Sequence, residues 1–201
     1  MPAPAYPLPL VLQRIKAIGG EVFTSGAYNL NLFGIRSPSR DAGTFDDLMG
    51  CAYRPTDGGP WRVAYWPATT DPGIYWRQHP MRVEGCAALV ADRQYPGLWK
   101  VGQHRGQYRA LVQVGTCAVY RDDDRDRVLD YDPVTITEGV FGINAHKAGQ
   151  ASTVVGKWSA GCQVLAQSGP AGFGDLMFLV DLQLTHHPTW DRFTYTLLNQ
   201  W

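Results

Sequence analysis

The stretch NAHKAGQASTVVGKWSAGCQVL, Asn144 to Leu165, holds one histidine, His146, and one cysteine, Cys162, sixteen positions apart. Two readings compete for it. Cys162 is either a small buried apolar residue, as cysteines often are, or an activated thiol with its base nearby. A thiol attacks a carbonyl only as thiolate, and a free cysteine is mostly protonated at neutral pH. An imidazole within reach can take that proton and later return it to a leaving amine. The spacing permits this. GVFGINAH delivers His146 at a strand end, KAGQASTVVG is a loop or hairpin, and WSAGC brings the chain back. The expectation is a pair of antiparallel neighbours that face each other. Gly161, with no Cβ, allows a sharp turn and close approach of a carbonyl substrate. The N–H groups of Gly161 and Cys162 are then the expected oxyanion hole, worth ~3 kcal/mol per donor. Ser159 is expected to rigidify the turn. Trp158 and Asn144 are the expected substrate contacts.

Outward from this stretch the pattern is mainly β. EVFTSGAYNLNLFGIRSPSR reads as strand, turn, strand, and RVAYW, GCAALVAD and LWKVG read as short strands. ALVQVGTCAVYR places Ala110, Val112, Val114, Ala118 and Tyr120 at alternate positions, as one half-buried strand would. FTYTLL is a closing strand. Two helices are expected. One spans about residues 8–18, stopped by Gly19-Gly20. The other carries Phe173, Leu176, Met177, Val180 and Leu184 at three- and four-residue steps. The predicted fold is mainly β with one or two packed helices. A boundary near residue 84 is expected to divide an N-terminal extension or subdomain (1–84) from a catalytic domain (85–201).

The bulk composition narrows the function. Acidic and basic residues balance at 18 each, so no basic field advertises nucleic acid. No run approaches the ~20 apolar residues of a membrane span. The start shows no signal-peptide pattern, so synthesis in the cytoplasm is expected. Four widely spaced cysteines are expected to be free thiols. Cys117, inside an alternating strand, is expected to be packing, as are Cys51 and Cys86.

His146, Ser159, Gly161 and Cys162 resemble, in order and spacing, the His…Ser-x-Gly-Cys pattern of the L,D-transpeptidase catalytic domain family. The likeness covers about 80 residues at best, from the strand near Ala110 to Leu165. GQHRGQYRALVQVGTCAVYRDDDRDRVLD and the closing FTYTLL are also similar to a group of phage-encoded proteins that share WSAGCQV. The resemblance implies a β-sandwich or barrel, Cys162 as nucleophile, His146 as base, and the Lys147 carbonyl orienting the imidazole. It implies a peptidoglycan stem peptide as substrate, an acyl-enzyme intermediate, and no cofactor for catalysis. The acyl group passes to an amine, forming a cross-link, or to water. The protein would act on the cell wall after release or export, as an endolysin does. The sequence departs from the family at Ala160, usually basic or His, and at Val164, usually Arg. The likeness therefore carries the nucleophile further than the acyl donor.

RDDDRDRVLD places Asp122, Asp124, Asp126 and Asp130 at calcium-loop spacing. Arg127 and Pro133 stand where such a loop has Gly and Glu. The alternatives are a structural calcium on Asp122, Asp124 and Asp126, or a solvated hairpin tip paired with Arg121, Arg125 and Arg127. His104 is a further active-site candidate. Thr70 and Asp71, in a turn, are candidates to line a groove. The competing function is a non-catalytic phage structural or wall-binding module on the same fold.

Overall fold

The computed structural model describes residues 6–40, 43–150 and 152–201. The chain runs α1 (Leu10–Ala17), β1 (Asn31–Arg36), β2 (Asp47–Tyr53), β3 (Arg62–Thr69), α2 (Ile74–Gln78), β4 (Cys86–Leu89), β5 (Arg93–His104), β6 (Tyr108–Gln113), β7 (Cys117–Asp122), β8 (Thr137–Gly139), β9 (Ala145–Lys147), β10 (Gln163–Leu165), α3 (Phe173–His186) and β11 (Arg192–Asn199). The protein is mainly β. Eight strands close a barrel in the order β1-β11-β5-β6-β9-β10-β3-β2, and β4, β7 and β8 form a separate three-stranded sheet. Strands on both sides of residue 84 close the same barrel. The first 84 residues therefore supply β1, β2 and β3 to its wall and are not a separate extension.

Alternation along the strands divides the core. Leu32, Met49, Cys51, Tyr195 and Leu197 join the main cluster, with Phe173, Leu176, Met177 and Val180 of α3. Phe33, Ala52 and Leu198, on the other parity, pack against Val11, Leu12 and Ile15 of α1. The α1 stripe at i, i+1 and i+4 is the apolar face a short surface helix needs.

Three expected strands differ in form. Glu21–Thr24 has no strand ladder. The Gln94 amide takes the N–H and C=O of Glu21, and the Asn31 amide takes those of Phe23, so side chains do what a neighbouring strand would. ALVQVGTCAVYR is two strands, not one. The chain turns at Val114–Thr116, where the N–H groups of Val114 and Gly115 both reach the Leu98 carbonyl, and β6 and β7 enter different sheets. The 140–144 stretch is also not a ladder strand. It hangs on two buried side chains. Gln113 Oε1 accepts from Phe141 N and Ile143 N at 3.0 and 2.7 Å, and Trp99 Nε1 donates to Ile143 O at 2.7 Å.

Buried ion pairs brace the walls. Arg36 Nη2 lies 2.9 Å from Asp71, and its Nε donates to Thr70 Oγ1. Asp47 accepts from Thr70 N and Oγ1. Burial, with Asp71 nearby, pushes the Asp47 carboxyl up to about 7. Thr70 and Asp71 are thus buried core residues. Arg77, fully buried, donates through Nε and Nη2 to Asp122, and Nη2 lies 3.3 Å from Asp126. Asp124 accepts from Asp126 N. The positive charge that Asp122 and Asp126 meet is this guanidinium. Among the described residues no group of three or more His, Cys, Asp or Glu side chains is placed to hold a metal ion, and no helix is long and apolar enough to cross a membrane.

Candidate functional site

β9 and β10 place His146 and Cys162 on one face, by a route other than the expected one. The two strands are parallel, with Gln163 opposite Ala145, Val164 opposite His146 and Leu165 opposite Lys147. The loop between them returns the chain to the same end of the ladder, so no hairpin forms. Side chains two apart on a strand share a face. Cys162 and Val164 therefore share the face of Asn144 and His146. The ladder continues one step with Gln163 N donating to Asn144 O at 2.8 Å.

The turn before Cys162 is held from three sides. Ser159 is fully buried. Its hydroxyl donates to Cys162 O at 2.8 Å and accepts from Gly161 N at 3.1 Å. Its carbonyl accepts from Gly73 N, at the entry to α2. Gly161 has φ +121, and a Cβ there would overlap the Ala87 carbonyl oxygen of β4. What approaches this glycine is thus the protein's own backbone, not a substrate. The Gly161 N–H is committed to Ser159, leaving the Cys162 N–H as the donor of the expected pair. Trp158 is 43% exposed and packs edge-on where a Gly149 Cβ would stand.

Cys162 is the most accessible of four free cysteines; the other three are buried. Its thiol donates to Gly142 O at 3.4 Å. Desolvation pushes it above the ordinary thiol range, opposed by a hydrogen bond from Asn144 N–H and by the charge of Arg105. His146 is 2% exposed. Its Nδ1 donates to Lys147 O at 2.9 Å, with the Tyr108 hydroxyl 3.2 Å away. Nε2 is therefore the unprotonated nitrogen, and it is buried without a hydrogen-bond partner. Burial, then His104, hold His146 down at about 4. The site rests as a neutral thiol beside a neutral imidazole.

His104 stacks on His146, with ring centroids 4.0 Å apart. Asn144 serves both neighbours. Its Oδ1 accepts from Gln113 N at 2.8 Å and its Nδ2 meets His104 Nδ1 at 3.1 Å. Asn144 is thus a bridge within the site, placed to order His104. Lys147 contributes its carbonyl to His146, while its ammonium lies over the Tyr108 ring at 4.9 Å. Sequence reasoning missed Tyr108, Gln113 and Gly142. For Gln113 one signal was present: an amide on the buried parity of an apolar strand must serve backbone partners.

The titration of His146 has a consequence for stability. Between its ordinary 6.5 and about 4, the unfolded chain binds a proton that the native ring refuses. Its stabilising contribution is full above about 6.5 and is lost as pH falls toward 4, roughly 3 kcal/mol in all. Asp47 runs the other way, since its native proton is lost only near 7; its contribution is present below about 4 and fades as pH rises to 7. The two nearly cancel in the wild type. Urea unfolding of wild type and His146→Phe at pH 7 and pH 4.5 separates them. The stability of wild type relative to the variant should fall by about 2–3 kcal/mol on acidification. A pH-independent difference would contradict the assignment of His146 as buried and neutral.

The chain matches no protein-family model, no curated protein and no solved structure.

Proposed function

We propose that this protein is a cysteine-nucleophile enzyme acting on peptidoglycan stem peptides through an acyl-enzyme, of L,D-transpeptidase type. The observation that carries this reading is the parallel pairing of Val164 with His146, which sets an accessible thiol and a partnerless imidazole nitrogen on one face. Cys162 Sγ adds to the scissile carbonyl as its proton passes to His146 Nε2. The imidazolium is steadied by the Lys147 carbonyl on Nδ1. The Cys162 N–H faces the developing oxyanion. His146 then returns the proton to the leaving amine, and water or a second amine releases the acyl group. Because neither partner is charged at rest, proton transfer accompanies attack rather than preceding it. The substrate lies in the wall, so the protein meets it after release or export.

One observation favours a second reading, a non-catalytic wall-binding module. The resting thiol is hydrogen-bonded to Gly142 O, not to His146. Mass spectrometry of muropeptides incubated with the purified protein separates the two. New peptide ends or new cross-links are expected. Protein that sediments with isolated walls while the muropeptide profile stays unchanged would overturn the enzymatic reading in favour of the module.

A further inference from the structure

His146 and His104 are a stacked pair locked in opposite tautomers. The Gln113 backbone N–H can only donate, so the Asn144 atom that meets it is Oδ1. Nδ2, the amide's other end, then faces His104 Nδ1 and donates to it. A neutral His104 must accordingly carry its proton on Nε2. His146 is the reverse, because the carbonyl of Lys147 requires the proton on Nδ1. Burial favours the neutral ring in both. The two Nε2 atoms differ in surroundings as well. That of His146 is buried and unpartnered, whereas the His104 ring meets Asn144 through Nδ1, and among the described residues no acceptor is hydrogen-bonded to its Nε2. One donor of an oxyanion hole is also missing, since Gly161 N–H is held by Ser159.

We propose that His104 is a second catalytic residue, a neutral imidazole whose Nε2–H donates a hydrogen bond to the substrate carbonyl oxygen while His146 acts as base beside it. The proposal rests on the acyl-transfer reading of Cys162. In the step, the C–S bond forms, the carbonyl π pair moves to oxygen, and the thiol proton goes to His146 Nε2. The His104 proton stays on its nitrogen and stabilises the new O⁻. When the tetrahedral species collapses, the oxygen pair re-forms the carbonyl and the leaving amine takes the proton from His146. A neutral donor at this place acts without a proton of its own to lose or regain. Asn144 is the positioning residue that fixes the tautomer.

The test compares two reactions of the same thiol. Acylation of Cys162 by p-nitrophenyl acetate develops an oxyanion; alkylation by iodoacetamide does not. In His104→Phe, which keeps a ring for the stack, the ratio of acylation to alkylation rates should fall about 10- to 100-fold. His104→Gln, which restores an N–H donor at similar reach, should recover part of it. A ratio unchanged in His104→Phe overturns the proposal. Histidine ¹⁵N spectra of the wild type give a check that needs no turnover. Nε2–H on His104 with Nδ1–H on His146 is expected, and the reverse tautomer on His104 overturns the assignment. Neither readout uses a muropeptide. If the ratio falls as expected but muropeptides are untouched, the peptidoglycan reading fails and the role of His104 stands.

Discussion

Cys162→Ala should leave the protein folded and reduce muropeptide turnover by about 10⁴-fold or more, since removing a nucleophile removes the acyl-enzyme itself. The structural cost is small. Cys162 is only partly buried and its partner, the Gly142 carbonyl, gives up only a weak thiol bond, so about 1 kcal/mol or less is expected. The same thiol should dominate alkylation of the wild type. Cys51, Cys86 and Cys117 are buried, and burial pushes all three up, Cys86 to about 12 and Cys117 to about 11. Peptide release and iodoacetamide labelling, followed by mass spectrometry, measure both effects. Turnover that survives the substitution, or equal labelling of all four thiols, would remove Cys162 from the chemistry.

Gly161→Ala should be the most damaging single-methyl addition at the site. At φ +121 an L side chain is strained, and the added carbon would run into the Ala87 carbonyl of β4. Neither obstacle is a flexible side chain that can move aside. Strain and overlap together should cost about 3–4 kcal/mol, or roughly 10 °C in Tm for a chain of this size. The damage is functional as well. The turn that holds Gly161 also sets the Cys162 carbonyl against Ser159 Oγ, so a shift of the backbone moves the thiol away from His146. Differential scanning calorimetry and the alkylation rate of Cys162 are the measurements. A Tm within 2 °C of wild type would show that the turn relaxes freely and that Gly161 is not required by packing.

Long, periodic elements were legible in the sequence. The three- and four-residue steps from Phe173 to Leu184 mark α3, and the alternation of Phe193, Tyr195 and Leu197 marks β11. Both contain enough side chains for the buried face to repeat. The strands that hold the site are too short for that. β9 and β10 have three residues each, so neither their pairing nor its parallel sense can be read from a pattern. Their direction is set by the path of the intervening loop. His146, Ser159, Gly161 and Cys162 were visible as a set because the chemistry asks for those residue types at that spacing. Their supports were not, because Gln113 and Trp99 act by bonding to backbone far along the chain, and such bonds leave no local periodicity. The oxyanion expectation for Gly161 failed for a related reason. A free N–H and one already taken by Ser159 look the same in one dimension.

β11 sits between β1 and β5 in the barrel, beside the first strand in parallel and the fifth in antiparallel. During translation, β1 and β5 emerge long before the strand that joins them. Until β11 has been made, β1 and β5 each present an open edge, and the barrel that carries β9 and β10 stays unclosed. A chain that stops short of β11 therefore lacks the closure on which the site's wall depends.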